Sequence, residues 1–151
     1  MDFDSTRYRI QVPVDAPVTE IMSTPVHAIG IDQHLSDARR LMTRERIHHV
    51  LIVEGRRLVG MVSASDIMRL GYGDTPDANA PLAKVMDSSH SLREVMQREL
   101  VTIGHVQSIR KAAELLSSGS FHALPVVDGE GAALGMVTST DLVRYLARMS
   151  C

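Results

Sequence analysis

Apolar residues along this chain follow two alternating periodicities, one typical of strands and one typical of helices, and the same order occurs twice. In the first half, apolar runs at 26–29, 48–53 and 58–62 indicate three strands, and a short turn around Gly55 joins the last two. Helical spacing appears after the first and third runs, with the apolar residues Leu35, Ala38, Leu41 and Met42, and then Ile67, Met68 and Leu70. The predicted order is β-α-β-β-α.

The second half repeats this order. Strands are predicted at 101–103, 124–127 and 133–137, and a helix is predicted over 108–118, where Gly119 ends it. The apolar side of the last helix consists of Leu142, Val143, Leu146 and Met149. Each half therefore predicts a small sheet with helices on one side.

Short polar residues before the helical stretches are candidate N-caps. We expect Asp32 or Ser36 to cap the helix of the first half, and Ser65 to cap the helix that ends this half. Thr140 or Asp141 is expected to begin the last helix. Each of these side chains offers an oxygen to a free N–H group of a first helical turn.

The two halves share residues as well as pattern. His48 and His122, 74 positions apart, begin the segments His48-His49-Val50-Leu51-Ile52-Val53 and His122-Ala123-Leu124-Pro125-Val126-Val127. The tails that follow are Gly60-Met61-Val62-Ser63-Ala64-Ser65-Asp66 and Gly135-Met136-Val137-Thr138-Ser139-Thr140-Asp141. Here the offset is 75, because one residue enters the loop at 128–131. An insertion confined to a turn indicates a repeated fold.

A unit of about 55 residues buries too little apolar surface to be stable alone, so we expect the two units to pack together and form clefts between them. We predict an α/β (α+β) fold of two pseudo-twofold-related β-α-β-β-α repeats that pack through their sheets. The predicted organisation is an N-terminal arm at 1–17, a repeat at 18–71, a linker with a partial helix at 72–91, and a repeat at 92–151. Helical character is expected from Leu82 to Met96.

Composition excludes several classes of protein. The 151 residues are 44% hydrophobic without any apolar run near the roughly 20 residues that span a bilayer, and the chain does not begin like a signal peptide. A net charge of −2 and few aromatic residues argue against nucleic-acid binding, so the arginines at 39, 40, 44 and 46 are predicted to form a solvated helix face. The single Cys151 is consistent with a reducing cytoplasm.

Catalytic and metal-binding patterns are absent from the sequence. There is no phosphate-binding Walker loop and no nucleophile elbow. Seven histidines are scattered along the chain, and the adjacent His48 and His49 point to opposite faces of a strand. We therefore expect neither a catalytic residue nor a metal site.

Together these segments resemble a known family, the paired cystathionine-beta-synthase (CBS) domains, called a Bateman module when two occur in tandem. The resemblance covers nearly everything from Val18 to Met149. Its marks are the strand after Ser23-Thr24-Pro25-Val26, the segment His122–Asp128, and the two Gly-started tails that end at Asp66 and Asp141.

The resemblance implies binding of an adenosine-containing ligand, such as AMP, ADP, ATP or S-adenosylmethionine. Asp66 and Asp141 are implied to hold a ribose each, with Ser63, Ser65, Thr138 and Thr140 near ribose or phosphate. The remaining implied site residues are Thr24, Pro25, Val26 and Val101 near the base, Pro125 in the apolar wall, and His48 and His122 near phosphate. A strand that ends in hydroxyls and enters a helix suits an anion, since free N–H groups and the helix dipole both favour negative charge. The alternative is that the hydroxyls only cap helices and the histidines are polar end groups.

No cofactor is required by this interpretation, and the ligand has a regulatory role. The resemblance also implies a homodimer through exposed helix residues such as Met42, Met68 and Met149, unless these methionines fill the core. An effector protein is the expected recipient of the signal. A protein-interaction module with vestigial clefts is the alternative function, and the sequence leaves open whether one or both clefts are occupied, since Thr24-Pro25-Val26 is replaced by Arg98-Glu99-Leu100 in the second copy.

Overall fold

Two three-stranded sheets of the same topology form the centre of the protein. The computed structural model describes residues 14–72 and 80–149. The first sheet has the order β1 (Ala28–Gly30), β2 (His49–Glu54), β3 (Arg57–Ser63), and the second has the order β4 (Ile103–Gly104), β5 (Ala123–Val127), β6 (Ala133–Thr138). In each sheet the first pair of strands is parallel and the second pair is antiparallel. The predicted α/β class and the repeated β-α-β-β-α order are confirmed.

Helices connect and flank the strands. They are α1 (Leu35–Glu45), α2 (Ala64–Arg69), α3 (Ala80–Ser89), α4 (Leu92–Val95), α5 (Ile109–Leu116) and α6 (Ser139–Arg148), and a 3-10 turn covers Val18–Glu20. Helices α1 and α5 are the crossovers that a parallel strand pair requires. The expected helix from Leu82 to Met96 is interrupted, because Ser91 caps a new helix at α4 by accepting a hydrogen bond from the Glu94 N–H at 3.3 Å.

The N-cap of α1 is His34, so the expectation of Asp32 or Ser36 was wrong. The carboxylate of Asp37 accepts a hydrogen bond from the His34 N–H at 2.9 Å. Ser36 lies inside the first turn, where its N–H and hydroxyl donate to Asp87 of α3 at 2.9 and 2.6 Å. The free N–H groups of this helix start are therefore bound by carboxylates, one of which belongs to another helix.

The segment before β1 packs on the second half of the chain. We call residues 14–23 the first lead segment. Val18 is fully buried in the core formed around β4, β5 and β6, and its N–H donates to the Gln107 carbonyl at 2.8 Å. Ser23 pairs with Met136 of β6 through N–H···O bonds of 2.8 and 3.4 Å. The beginning of the first repeat thus completes the core of the second.

The segment before β4 packs on the first half in the same way. We call residues 88–97 the second lead segment. Leu92 lies in the core around β1, β2 and β3 with 1% of its surface exposed. Gln97 pairs with Met61 of β3 through N–H···O bonds of 2.9 and 3.0 Å. The two repeats therefore exchange their lead segments, and each half supplies part of the other's core.

The hairpin turns of the two sheets also touch. The Leu58 N–H donates to the Gly131 carbonyl at 3.0 Å, and the Ala133 N–H donates to the Arg56 carbonyl at 3.2 Å. The loop that contains the inserted residue is stabilised by Asp128, whose side chain accepts two backbone hydrogen bonds. The backbone hydrogen bonds between the hairpins agree with the prediction that the repeats pack through their sheets.

Residues 1–13 of the predicted arm lie outside the described residues. The end of the arm lies along the start of α5, where the carbonyls of Val14 and Ala16 accept hydrogen bonds from the N–H groups of Arg110 and Ile109 at 2.8 and 2.9 Å. These carbonyls bind amides that would otherwise be free at a helix start. The end of the arm therefore belongs to the second half of the fold.

One expectation about helix surfaces was wrong. Arg39, predicted to be solvated, is 7% exposed, and its guanidinium lies 3.7 Å from the Met86 sulfur because α3 covers this face of α1. Met42 fills the first core, whereas Met68 is 58% exposed. On α6, Leu142 packs against the second core, whereas Val143 and Leu146 are exposed by more than half.

Substituting Gly135 by alanine is expected to destabilise the protein by about 1 to 3 kcal/mol. An added Cβ would lie 2.8 Å from the Ser23 carbonyl oxygen, which the lead segment holds in place. At Gly60 the nearest atom is the sulfur of Met96, a flexible side chain that can move, so Gly60→Ala is expected to cost less. Equilibrium urea unfolding measures these free energies.

The control is Gly129→Ala, because no atom lies within 4 Å of a Cβ added there. The interpretation of Gly135 is contradicted if Gly135→Ala and Gly129→Ala unfold at the same urea concentration.

Candidate functional site

A cleft of about 550 Å³ opens between the two repeats. We call it the first cleft. Its walls come from four places: the end of the first lead segment with the residues after it, the start of β2 with the residues before it, His122 before β5, and the junction of β6 and α6. The lining residues are Ser23, Pro25, Val26, His27, Arg46, Ile47, His48, His49, Leu51, His122, Gly135, Met136, Thr138, Ser139, Thr140, Asp141 and Arg144. The exchange of lead segments brings these walls together.

The start of α6 forms the polar end of this cleft. Thr138 is the N-cap, and its hydroxyl oxygen accepts a hydrogen bond from the Asp141 N–H at 3.2 Å. One oxygen of the Asp141 carboxylate accepts from the Thr138 N–H at 2.8 Å and from the Thr138 hydroxyl at 3.0 Å. The other oxygen lies 3.3 Å from the guanidinium of Arg144. A carboxylate has about four acceptor positions, so Asp141 keeps capacity for a ligand hydroxyl.

The start of α2 has the same construction. Ser63 is the N-cap, its hydroxyl accepts from the Asp66 N–H at 3.1 Å, and the Asp66 carboxylate accepts from the Ser63 N–H at 2.9 Å. The predicted caps, Ser65 and Thr140, were wrong, because each lies two residues after the observed cap, Ser63 or Thr138. The physical reason is the capping box, in which the cap lies three positions before the acidic residue that bonds back to it. Ser65 and Thr140 are exposed.

Several basic and titratable side chains also line the first cleft. Four histidines line it, together with Arg46 and Arg144. The pKa of His49 is lowered by burial and by the neighbouring imidazoles of His48 and His122, while Asp66 opposes this shift. Arg46 ends α1 in a left-handed conformation with φ of 53°. The guanidinium groups of Arg46 and Arg144 provide positive charge for an anionic ligand.

The structure brings together about half of the residues that the sequence singled out. The first cleft contains Pro25, Val26, His48, His122, Thr138, Thr140 and Asp141. Thr24 lines an adjoining cavity of about 460 Å³ that shares Asp141 and Arg144 with the first cleft. The other predicted residues, which do not line either cavity, are Ser63, Ser65, Asp66, Val101 and Pro125. Their roles in binding stay predictions.

Ten lining residues were not among the predicted site residues, and those with charged or titratable side chains are His27, Arg46, His49 and Arg144. Arg144 carried a usable signal, because it lies three positions after Asp141 and hence on the same helix face. Val26 lines the same cleft as the tail of the other repeat, which ends at Asp141, and not the tail of its own repeat. This placement follows from the exchange of lead segments, which repeated motifs alone do not reveal.

Within residues 14–72 and 80–149, no group of three His, Cys, Asp or Glu side chains is placed to hold a metal ion. In the same ranges none of the helices has the length and apolar character needed to cross a bilayer.

Comparisons with known proteins identify the repeats. The sequence model of the CBS domain matches residues 18–73 and again residues 92–148. The chain is 28% identical over 116 residues to the uncharacterized protein MJ1225 of Methanocaldococcus jannaschii, covering 76% of this chain and 41% of that protein. It is 31% identical over 130 residues to a homoserine O-acetyltransferase of Methanohalobium evestigatum, covering 85% of this chain and 24% of that enzyme. The chain thus spans less than half the length of these relatives.

Solved structures show the same fold. CBSX2, solved in complex with AMP, superposes with a TM-score of 0.72 at 22% identity, covering 88% of this chain and 97% of that one. The CBS domain pair of protein MJ0100, in complex with 5′-methylthioadenosine and S-adenosyl-L-methionine, superposes with a TM-score of 0.70 at 22% identity, covering 87% and 96%.

Acidification is expected to destabilise the protein in part through His49. Because burial lowers the pKa of His49 in the folded state, the unfolded chain binds this proton more readily. The stability contributed by neutral His49 is complete above the unfolded pKa of about 6.5 and is lost as pH falls below it. Urea unfolding at about pH 7.5 and about pH 5.5 should therefore show a smaller acid loss for His49→Gln than for the parent.

His34→Gln, which changes an exposed histidine at the start of α1, controls for the loss of any histidine. An acid loss in His49→Gln equal to that of the parent would show that His49 does not resist protonation.

Proposed function

Because the chain belongs to the CBS domain family, with a match to each of its two repeats, we propose that it is a regulatory module that binds an adenosine-containing nucleotide in the first cleft. The observation that carries this proposal is the position of Asp141, a carboxylate 7% exposed at a helix start that lines a cleft of about 550 Å³. Clefts of this volume are typical of small-molecule sites. CBS domain pairs of the same fold have been solved with AMP and with S-adenosyl-L-methionine.

The apolar part of the cleft suits a purine base. Val26, Ile47, Leu51 and Met136 line it, and a flat base buried between such side chains loses contact with water. Backbone groups beside Pro25 and Val26 can then recognise the edge of the base through N–H and C=O groups. Adenine is proposed for this part of the cleft.

Asp141 is proposed to hold the ribose. Its carboxylate retains acceptor capacity beyond the bonds that it makes to Thr138 and Arg144. A ribose presents two neighbouring hydroxyl donors, and hydrogen bonds to a charged acceptor are stronger than those between neutral groups. The capping role and the ligand role of Asp141 are compatible.

The charges of the cleft favour a phosphorylated ligand over a sulfonium. Arg46, Arg144 and the exposed His48 and His122 line the same cavity as the first turn of α6, whose dipole also favours an anion. A positively charged sulfonium would be repelled by the guanidinium groups. AMP, ADP or ATP is therefore proposed in preference to S-adenosylmethionine.

Binding is proposed to regulate a partner without turnover of the ligand. A nucleotide in the first cleft would contact both repeats and would favour one relative arrangement of them. An effector protein that contacts both repeats would sense this arrangement. A cytoplasmic location, where adenine nucleotides are present and Cys151 stays reduced, completes the proposal.

Asp141→Ala is expected to weaken AMP binding about ten- to hundredfold, since a hydrogen bond to a charged group contributes about 1.5 to 3 kcal/mol. The matched control is Asp66→Ala. Both aspartates close a capping box, both are nearly buried, and both lie beside an arginine three positions later. Both variants should lose about 1 kcal/mol of stability, but only Asp141→Ala should lose affinity in the first cleft.

Isothermal titration calorimetry with AMP measures the affinity, and thermal unfolding measures the stability. Failure of the parent chain to bind AMP would overturn the proposed function. Equal loss of affinity in the two variants would remove Asp141 from the site.

Self-association is proposed through the outer faces of α2 and α6. Met68 and Val143, which the repeat makes equivalent, are 58% and 65% exposed, and Leu146 on α6 is 56% exposed. Equivalent apolar residues on two pseudo-symmetric helices form a surface that a second copy can cover with twofold symmetry. A homodimer is the proposed assembly, and this surface also favours the alternative function of an interaction module.

The double substitution Met68→Glu and Val143→Glu is expected to make the protein monomeric, because charges would have to be buried at the interface. Sedimentation velocity measures the mass. Val106→Glu is the control, since Val106 is 78% exposed in the turn before α5. A parent chain that sediments as a monomer would contradict the proposed dimer.

A further inference from the structure

The internal repeat gives the first cleft a counterpart. Each residue that lines the first cleft has an equivalent position in the other repeat, and we call this second set of positions the second cleft. Its polar end is the start of α2, with Ser63, Ser65 and Asp66, and its lead segment is the second one, which contains Gln97. Gln97 corresponds to Ser23. Gln97 pairs with Met61, the residue after Gly60, and Ser23 pairs with Met136, the residue after Gly135.

The carboxylate of Asp66 already has a partner in the second cleft. The side-chain amide of Gln97 donates to the Asp66 oxygen Oδ1 at 3.4 Å. This is the same oxygen that lies 3.5 Å from the guanidinium of Arg69. The other oxygen accepts from the Ser63 N–H. Both oxygens of Asp66 are therefore engaged by the protein.

The first cleft differs at this position. Among the hydrogen bonds of the described residues, the carboxylate of Asp141 receives bonds from Thr138 and Arg144 and none from Ser23. Serine has a shorter side chain than glutamine and no amide group. Each carboxylate thus receives three protein hydrogen bonds, but Oδ1 of Asp141 has one donor, Arg144, whereas Oδ1 of Asp66 has two, Arg69 and Gln97.

The charged side chains of the two clefts also favour ligand binding in the first cleft over the second. The first cleft contains His27, Arg46 and His49. The equivalent residues of the second cleft are Val101, Ser120 and Ala123, and Glu99 stands there in place of Pro25. Three basic or titratable side chains are thus absent from the second cleft and the carboxylate of Glu99 is added, while Arg98 stands beside it at the position of Thr24. An anionic ligand would find less attraction there.

We infer that the chain binds a single nucleotide, in the first cleft, and that Gln97 closes the second cleft by occupying the carboxylate at which a ribose would bind. This inference rests on the proposed function. A ribose that binds Oδ1 of Asp66 has to compete with the Gln97 amide, so that one hydrogen bond is exchanged for another with little net gain. The duplication has thereby produced one binding site and one structural copy of it.

A reciprocal exchange of the two residues tests this inference. Ser23→Gln places an amide beside Asp141 and is expected to weaken AMP binding at least tenfold, because the ligand must displace it. Gln97→Ser removes the amide from Asp66 and is expected to add a second, weaker site for adenosine. Adenosine is the probe because it carries no phosphate, so the basic residues that the second cleft lacks do not affect its binding. Ser88→Gln is the control, since the Ser88 hydroxyl bonds only to a carbonyl of its own helix.

Calorimetry gives the affinity and stoichiometry, and native mass spectrometry counts the bound ligands. The expected results are one AMP per parent chain, two adenosines per Gln97→Ser chain, and unchanged binding in Ser88→Gln. Two AMP per parent chain would overturn the inference while leaving the proposed function intact. Unchanged AMP affinity in Ser23→Gln, or a single adenosine per Gln97→Ser chain, would also overturn it. No AMP on the parent chain would instead refute the proposed function itself.

Discussion

The exchange of lead segments between the repeats is the constraint on which the rest of the structure depends. Each lead segment crosses a sheet of the other repeat at a glycine. At Gly135 the backbone carbonyl of Ser23 would lie 2.8 Å from an added Cβ, and at Gly60 the nearest atom is the sulfur of the Met96 side chain at 2.6 Å. These crossings bring Pro25 and Val26 to the start of α6, and they bury Val18 and Leu92 in the opposite cores. Core packing and cleft formation are consequences of one arrangement.

Within the cleft, a single aspartate combines two roles. Asp141 closes the capping box that fixes the first turn of α6, and the same carboxylate faces a cavity between the repeats. Because the cap holds the side chain in place, the carboxylate is oriented before any ligand arrives, and little conformational entropy is lost on binding. Asp66 has the same cap, yet its Oδ1, which lies beside Arg69, also accepts a hydrogen bond from the amide of Gln97. The two carboxylates therefore have different tertiary neighbours within the same local structure.

The sequence predicted local structure more accurately than it predicted which residues are neighbours in the folded protein. Hydrophobic periodicity located the strands and helices, and the repeated tails located Asp66 and Asp141, because these signals lie within a few residues of each other. The caps of α2 and α6 were missed by two residues, since hydroxyls at both Ser63 and Ser65 satisfy the cap preference and only the geometry of Asp66 decides between them. Burial of Arg39 depends on α3, which is distant in sequence. The pairing of Val26 with Asp141 depends on the exchanged lead segment, which no local pattern encodes.

The mutual insertion of the lead segments also bears on how such a chain can arise. One repeat by itself would lack the strand-edge partner and the buried leucine or valine that the other repeat supplies. Separate copies would have to obtain these pieces from each other by domain swapping, at a rate and yield set by protein concentration. Covalent linkage turns that encounter into an intramolecular step with an effective concentration in the millimolar range. The fused gene product is thus independent of dilution, and its two halves are free to diverge in sequence.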